Sequence, residues 1–227
     1  MIATISKKYR LAKGISQEEL AGSLGMSRNT VISIENGKRE LTLSEAERFS
    51  RILGVSVEAL ISEQLPNFSK YKEMILYTLS QVNGDGKIPK TKLAKIIYLA
   101  DFAWFYYKME SMSGMSYRKI MFGPVPDAYF RAIDELEQGG LISLEIKNYP
   151  SGHTQLLSLT KAGKMAGTDN VSGEEKNLIK KISKNWENKN TQEIVGFTHQ
   201  QLPYLLALDG EIISYALIGQ EEEKNLF

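Results

Sequence analysis

Arg28, Asn29, Thr30 and Ser33 place four hydrogen-bond donors in one short run, and Asn36, Lys38 and Arg39 follow directly behind them. Side chains of these types give hydrogen bonds to acceptors; they contain neither a nucleophile paired with a base nor a metal-ligand set. From Met1 to Arg39 the bases are Lys7, Lys8, Arg10, Lys13, Arg28, Lys38 and Arg39, against the acids Glu18, Glu19 and Glu35. The stretch is locally basic although the chain of 227 residues carries a formal net charge of only +1, so the charge is a gradient along the chain rather than a property of the whole. A second group, Phe102, Trp104, Phe105, Tyr106 and Tyr107, is aromatic. Such side chains bury large areas with few rotatable bonds and serve as anchors for protein partners. In a helix apolar on nearly all sides, however, a hydrophobic core accounts for them more readily, with some tyrosines reaching the surface.

Bond-making chemistry is poorly supported. The two histidines are distant, there is no cysteine, and no HExxH, Walker-type or GxSxG pattern occurs. Disulfides, thiolate catalysis and cysteine zinc sites are therefore excluded. Asn83-Gly84-Asp85-Gly86 looks like part of a calcium loop but lacks the remaining oxygen ligands and the closing glutamate, and reads as a turn. His153 falls in a polar loop, and for His199 a local hydrogen bond is a simpler account than a partner contact. No continuous apolar stretch has signal-peptide or membrane-spanning length; with the missing cysteines this gives the expectation of a cytoplasmic protein.

The elements that must hold the donors follow from caps and periodicity. A first helix runs from Thr4 to Lys13, ahead of Gly14; Ser16-Gln17-Glu18-Glu19 reads as a capping box opening a second, which ends at Gly25. Ser27 caps a third helix that turns Val31 and Ile34 inward, leaves Arg28, Asn29, Thr30 and Ser33 outward, and breaks at Asn36-Gly37. Two further helices are expected at Leu43–Leu53, capped by Thr42 or Ser44, and at Val57–Ile61. Gln64-Leu65-Pro66-Asn67 loses periodicity and marks a short linker, giving domains at 1–63 and 68–227. Beyond it we expect helices at Phe68–Val82 and Thr91–Met109, a turn at Phe122-Gly123-Pro124-Val125-Pro126, and a helix from Asp127 to Gln138. A hairpin from Leu141–Ile146 to Gln155–Leu159, with a loop longer than two residues, should follow. Then come helices near Glu174–Trp186 and Thr191–Phe197, a strand at Ile212–Leu217 and a frayed polar tail at Glu221–Asn225. The fold class is mainly α, with a small β element in the second domain.

The succession Ser16-Gln17-Glu18-Glu19-Leu20-Ala21, Leu24-Gly25-Met26-Ser27, Ile34-Glu35-Asn36-Gly37-Lys38-Arg39 and Leu53-Gly54-Val55-Ser56 resembles the Xre, lambda-repressor-like helix-turn-helix family over almost all of the first domain, and implies its five-helix fold. The resemblance implies that Arg28, Asn29, Thr30 and Ser33 approach base edges in the major groove. It also implies that Gln17, Ser27, Asn36, Lys38 and Arg39 meet the DNA backbone. Since one such helix reads only a few base pairs, a homodimer spanning half-sites about 34 Å apart is expected.

From about Phe68 to Leu217 the chain resembles the SocA-like, Panacea-domain antitoxins through Lys92-Leu93-Ala94-Lys95-Ile96-Ile97-Tyr98-Leu99-Ala100-Asp101, Phe122-Gly123-Pro124-Val125-Pro126 and Thr198-His199-Gln200. Phe122 stands where that family commonly has tyrosine, and Tyr117 to Met121 departs from its pattern. The resemblance implies an antitoxin that masks a protein toxin through its second domain and represses the shared promoter through its first. Trp104, Tyr106, Tyr107, Phe122 and His199 are the candidate toxin contacts, and no cofactor or metal is expected. A stand-alone phage or mobile-element repressor, whose second domain dimerises or senses a ligand, is the rival. The helix from Asp127 and the hairpin to Leu159 also resemble a winged helix, but Asp127, Asp134, Glu135 and Glu137 make that helix unfavourable to phosphates.

Overall fold

A computed structural model describes residues 2–57, 60, 65–149 and 152–227. Four N-terminal helices, α1 (Ile2–Ala12), α2 (Gln17–Leu24), α3 (Arg28–Glu35) and α4 (Leu43–Leu53), match the periodicity. Their starts are chemical: Ser16 and Thr42 each form a complete capping box, with Glu19 and Glu45, and the Ser27 hydroxyl accepts from the Thr30 amide. The expected fifth helix, Val57–Ile61, falls largely outside the described residues.

The C-terminal region contains α5 (Phe68–Ser80), β1 (Ile88–Pro89), α6 (Lys90–Lys108), β2 (Tyr117–Arg118), β3 (Val125–Pro126), α7 (Ala128–Gln138), β4 (Ile142–Tyr149), β5 (Gly152–Leu159), α8 (Lys161–Met165), α9 (Gly173–Trp186), α10 (Thr191–Gln200) and α11 (Leu202–Leu206). Helix α6 is central, with Lys92 to Phe105 all buried and α5, α9 and α10 packed around it. A three-stranded antiparallel sheet, ordered β1-β5-β4, covers one side; a two-stranded ladder joins β2 to β3. Among the described residues no helix is long and apolar enough to cross a membrane.

Four expectations change. Tyr149 pairs with Gly152 in the hairpin register, so the strands are longer than the alternation suggests and the connection is two residues; backbone pairing continued where side-chain alternation stopped. Ile212–Leu217 is not a strand. Ile212 makes one bridge to Arg118, and the chain then tightens into a 3-10 turn at Ala216–Gln220; burial alternates only at Ile213 and Tyr215 and then steps by three to Ile218, the spacing of a turn rather than of a strand. The tail is not frayed either: Glu223–Asn225 forms a 3-10 turn, Leu226 is buried, and the Gln201 amide donates to the carbonyls of Asn225 and Leu226. Val125–Pro126, expected only as a turn, also pairs as β3.

The buried apolar side chains form two clusters, one drawn from Tyr9 to Leu60 and the other from Tyr71 to Leu226. Between them the Ser56 amide donates to the Ser116 hydroxyl at 3.2 Å, and the amide of Asn67, in the linker, donates to the Ser113 carbonyl at 2.9 Å. Gly114 leaves no room for a side chain, since a Cβ would lie 2.7 Å from the Leu65 carbonyl oxygen. Beneath this loop lies Asp101, a fully buried acid in an apolar helix. Burial raises its pKa against the opposing pull of its donors. Those donors are the Ser111, Ser113 and Tyr117 hydroxyls and the Met112 and Ser113 amides.

Candidate functional site

The donors on α3 stand on a helix whose orientation is fixed from below. Glu35, 4% exposed, accepts from Arg10 Nε at 2.6 Å, Arg10 Nη2 at 3.0 Å and Gln17 Nε2 at 2.8 Å. Arg10 also donates to the Ile15 carbonyl, so one network clasps α1, the α1–α2 turn, α2 and α3. Burial opposes ionisation of Glu35, but the hydrogen bonds from Arg10 and Gln17 outweigh it and hold the carboxyl below its ordinary range. Val31 and Ile34 pin the inner face of α3.

On the outer face Arg28 and Asn29 are exposed and Thr30 and Ser33 half-buried. Arg28 has one loose ion pair, 3.8 Å to an exposed Glu18, which leaves its guanidinium largely available. Ser27 serves first as the α3 cap, and its hydroxyl also lies 2.9 Å from that of Thr30. Asn36 caps the other end, with Lys38 exposed beyond it. Arg39 is paired with Glu45 at 2.7 Å. Gln17 is half-buried and donates one of its two amide hydrogens to Glu35. Ser27 and Asn36 thus bracket α3, and Lys38 and Arg39 follow it in the chain, both exposed.

The candidate partner contacts of the C-terminal region do not form one surface. Trp104 is 8% exposed and part of the second core, and Tyr106 packs half-buried against it. Tyr107 is 42% exposed, its hydroxyl donating to Glu223. Phe122 and His199 lie near the other half of α6, beside Lys95; twelve residues of helix between Lys95 and Tyr107 amount to roughly 18 Å.

That second location holds a feature the sequence reading passed over. Lys95 is 1% exposed, and its Nζ donates to the Pro124 carbonyl at 2.7 Å. Burial lowers its pKa to about 7. The loop can reach it only because residue 123 is glycine: φ there is +89°, and a Cβ would come 2.8 Å from Lys95 Cε and 3.2 Å from His199 Nε2. His199 stacks on Tyr204, with ring centroids 4.3 Å apart, and its buried Nε2 has no hydrogen-bond partner. Burial and the positive charges of Lys95 and Lys119 lower its pKa. Lys95 opens onto a cavity of about 560 Å³ between the start of α6, β5 and the 120–126 loop, whose walls include Lys90, Thr91, Phe122, Phe130 and His153. The signal that could have found it was a lysine on the apolar side of the helix, one turn past Lys92 and flanked by Ala94 and Ile96. Lys92, also buried, is different: it donates to the Glu187 and Lys189 carbonyls just past the end of α9 and serves as a cap.

The helix-turn-helix family model matches residues 7–60, and that of the antitoxin SocA-like, Panacea domain matches residues 93–203. Among curated proteins, an uncharacterized HTH-type transcriptional regulator of Methanocaldococcus jannaschii is 42% identical over 52 residues, which is 23% of this chain and 79% of that protein. Control protein C.MunI of Mycoplasma sp is 40% identical over 58 residues, 25% of this chain and 78% of that one. The cryptic phage CTXphi transcriptional repressor RstR of Vibrio cholerae is 26% identical over 70 residues, covering 31% of this chain and 63% of its own. No solved structure matches the chain significantly.

Proposed function

Because the chain belongs to the helix-turn-helix family of transcriptional regulators and carries an antitoxin SocA-like, Panacea domain, we propose that it is the antitoxin of a two-gene pair: residues 1–63 capture the operator of its own operon, and residues 68–227, after a linker at 64–67, mask a toxin encoded beside it. The observation that carries this reading is the pairing, in one chain, of an exposed donor face on α3 with the Panacea match. In this reading Arg28, Asn29, Thr30 and Ser33 meet base edges, while Ser27, Asn36, Lys38 and Arg39 meet phosphates and supply salt-sensitive affinity. Gln17 acts through Glu35, setting the angle of α3. Two copies bind together, since one such helix reads too few base pairs for useful specificity. Neutralisation is stoichiometric and rests on buried contact area, with no bond made or broken.

A second reading, the stand-alone repressor, is favoured by the likeness to a phage repressor. The experiment that separates them expresses the adjacent open reading frame alone, with this chain, and with its Arg28→Ala/Asn29→Ala variant. Growth arrest by the neighbour, relieved equally by both proteins, supports the antitoxin reading. A harmless neighbour transfers support to the repressor.

A further inference from the structure

Among the described residues no carboxylate lies against the buried Lys95: its Nζ donates to a neutral carbonyl, and burial alone accounts for its lowered pKa. A lysine ammonium has three donors, so charging it at that depth without a counter-ion is unfavourable. Among the described residues no aspartate or glutamate lines the cavity onto which it opens, while Lys90 and His153 add further donors to the same walls. The rim is aromatic, with Phe122 59% and Phe130 49% exposed. Apolar exposure continues past the rim. Met121 sits next to Phe122, and Leu205, Leu206 and Leu208 lie on a segment in which the Tyr204 hydroxyl donates to the Ile120 carbonyl and the Gly210 amide to that of Lys119, while the Lys119 side chain donates to the Ala207 carbonyl.

We propose that this cavity receives a carboxylate side chain of the protein partner, with Lys95 as its counter-charge and Phe122 and Phe130 as flanking apolar walls. The inference rests on the antitoxin reading and names the chemistry by which the toxin is held. Charge complementarity selects an acidic group, and the apolar residues beyond the rim offer more surface than a small anion could cover, which selects a protein segment. Gly123 and Pro124 bring the aromatic rim and the lysine into one place.

The test uses the full chain and the purified product of the adjacent open reading frame. Lys95→Met keeps the length of the side chain and removes its charge; we expect binding by calorimetry to weaken at least about tenfold, equivalent to about 1.4 kcal/mol, with operator binding unchanged. Phe122→Ala, on the surface, should weaken it comparably and covers the case in which Lys95→Met does not fold. Each aspartate and glutamate of the partner is then changed to its amide. One such change should weaken binding to the wild-type chain yet add nothing in the Lys95→Met background, a coupling that a merely structural lysine cannot produce. If both antitoxin variants bind as the wild type does, or if no partner carboxylate couples to position 95, the proposal is overturned while neutralisation stands. If the wild-type chain does not bind the product at all, the antitoxin reading falls and this inference with it.

Discussion

The exposed face of α3 and the pocket floored by Lys95 both present cationic donors, yet they are built in opposite ways. On α3 the donors come from one short helix, stand in water, and owe their usefulness to a buried ion pair below them that they never touch. In the pocket the cation itself is buried, and the surfaces around it come from α6, β5 and the 120–126 loop. The first arrangement suits a long, repetitive polyanion approached from outside. The second suits one charge carried in by a shaped partner, because desolvation discourages anything that does not bring both the charge and the apolar contact. On the proposed reading, one chain holds two ways of meeting negative charge, one solvated and salt-sensitive, the other dry and selective.

The sharpest way to break this contrast is to attack the support rather than the donors. Arg10→Ala strands Glu35 without its strongest partner, and should destabilise the N-terminal helices by about 3 kcal/mol while leaving melting of the C-terminal core unchanged in a calorimetric scan. The same pair carries a pH signature. Glu35 is held below its ordinary range, so its contribution is complete above that range and disappears as pH falls through the lowered native value; acid titration of Glu35→Gln should lack this component. Gly123→Ala, by contrast, must strain a left-handed residue and push against Lys95. We expect a loss of about 1–3 kcal/mol, confined to the second transition; two variants that melt both regions together would collapse the comparison. Arg28→Ala should remove about 1–3 kcal/mol of discrimination between operator and scrambled DNA, read by fluorescence anisotropy, whereas Lys38→Ala should weaken both DNAs alike and reduce the salt slope by about one. Smallest of all is the effect of Phe122→Ala on folding, within about 0.5 kcal/mol for an exposed site, even as partner binding drops. A large loss of stability there would make Phe122 part of the fold rather than of the rim.

These differences explain how much of the molecule was legible in its sequence. Capping boxes at Ser16 and Thr42, the Ser27 cap and the spacing of Val31 and Ile34 are local signals, so α2, α3 and α4 and the outward side of α3 could be read directly. The use of Gln17 could not, because its partner Glu35 is eighteen positions away and only the fold brings them together. In the C-terminal region the helices were readable, but β1 and the ordered tail depend on partners distant in sequence, and the β2–β3 ladder is only two residues long on each side, too short for alternation to show. The aromatic run on α6 drew attention for its residue types, and most of it serves the core. Lys95 and Asp101, the polar residues on which two loops are organised, carry no local signal of their use, because their partners Pro124 and Ser113 lie 29 and 12 positions on.

Asp101 bears on the order in which the chain can assemble. Its donors are all supplied by residues 111–117, and without them a carboxylate at that depth is strongly disfavoured. Helix α6 and that loop therefore settle together, as a single cooperative step. The same loop offers Ser116 to Ser56 and makes room at Gly114 for Leu65, so the contacts that receive the chain leaving α4 are made by a loop that Asp101 itself holds in place.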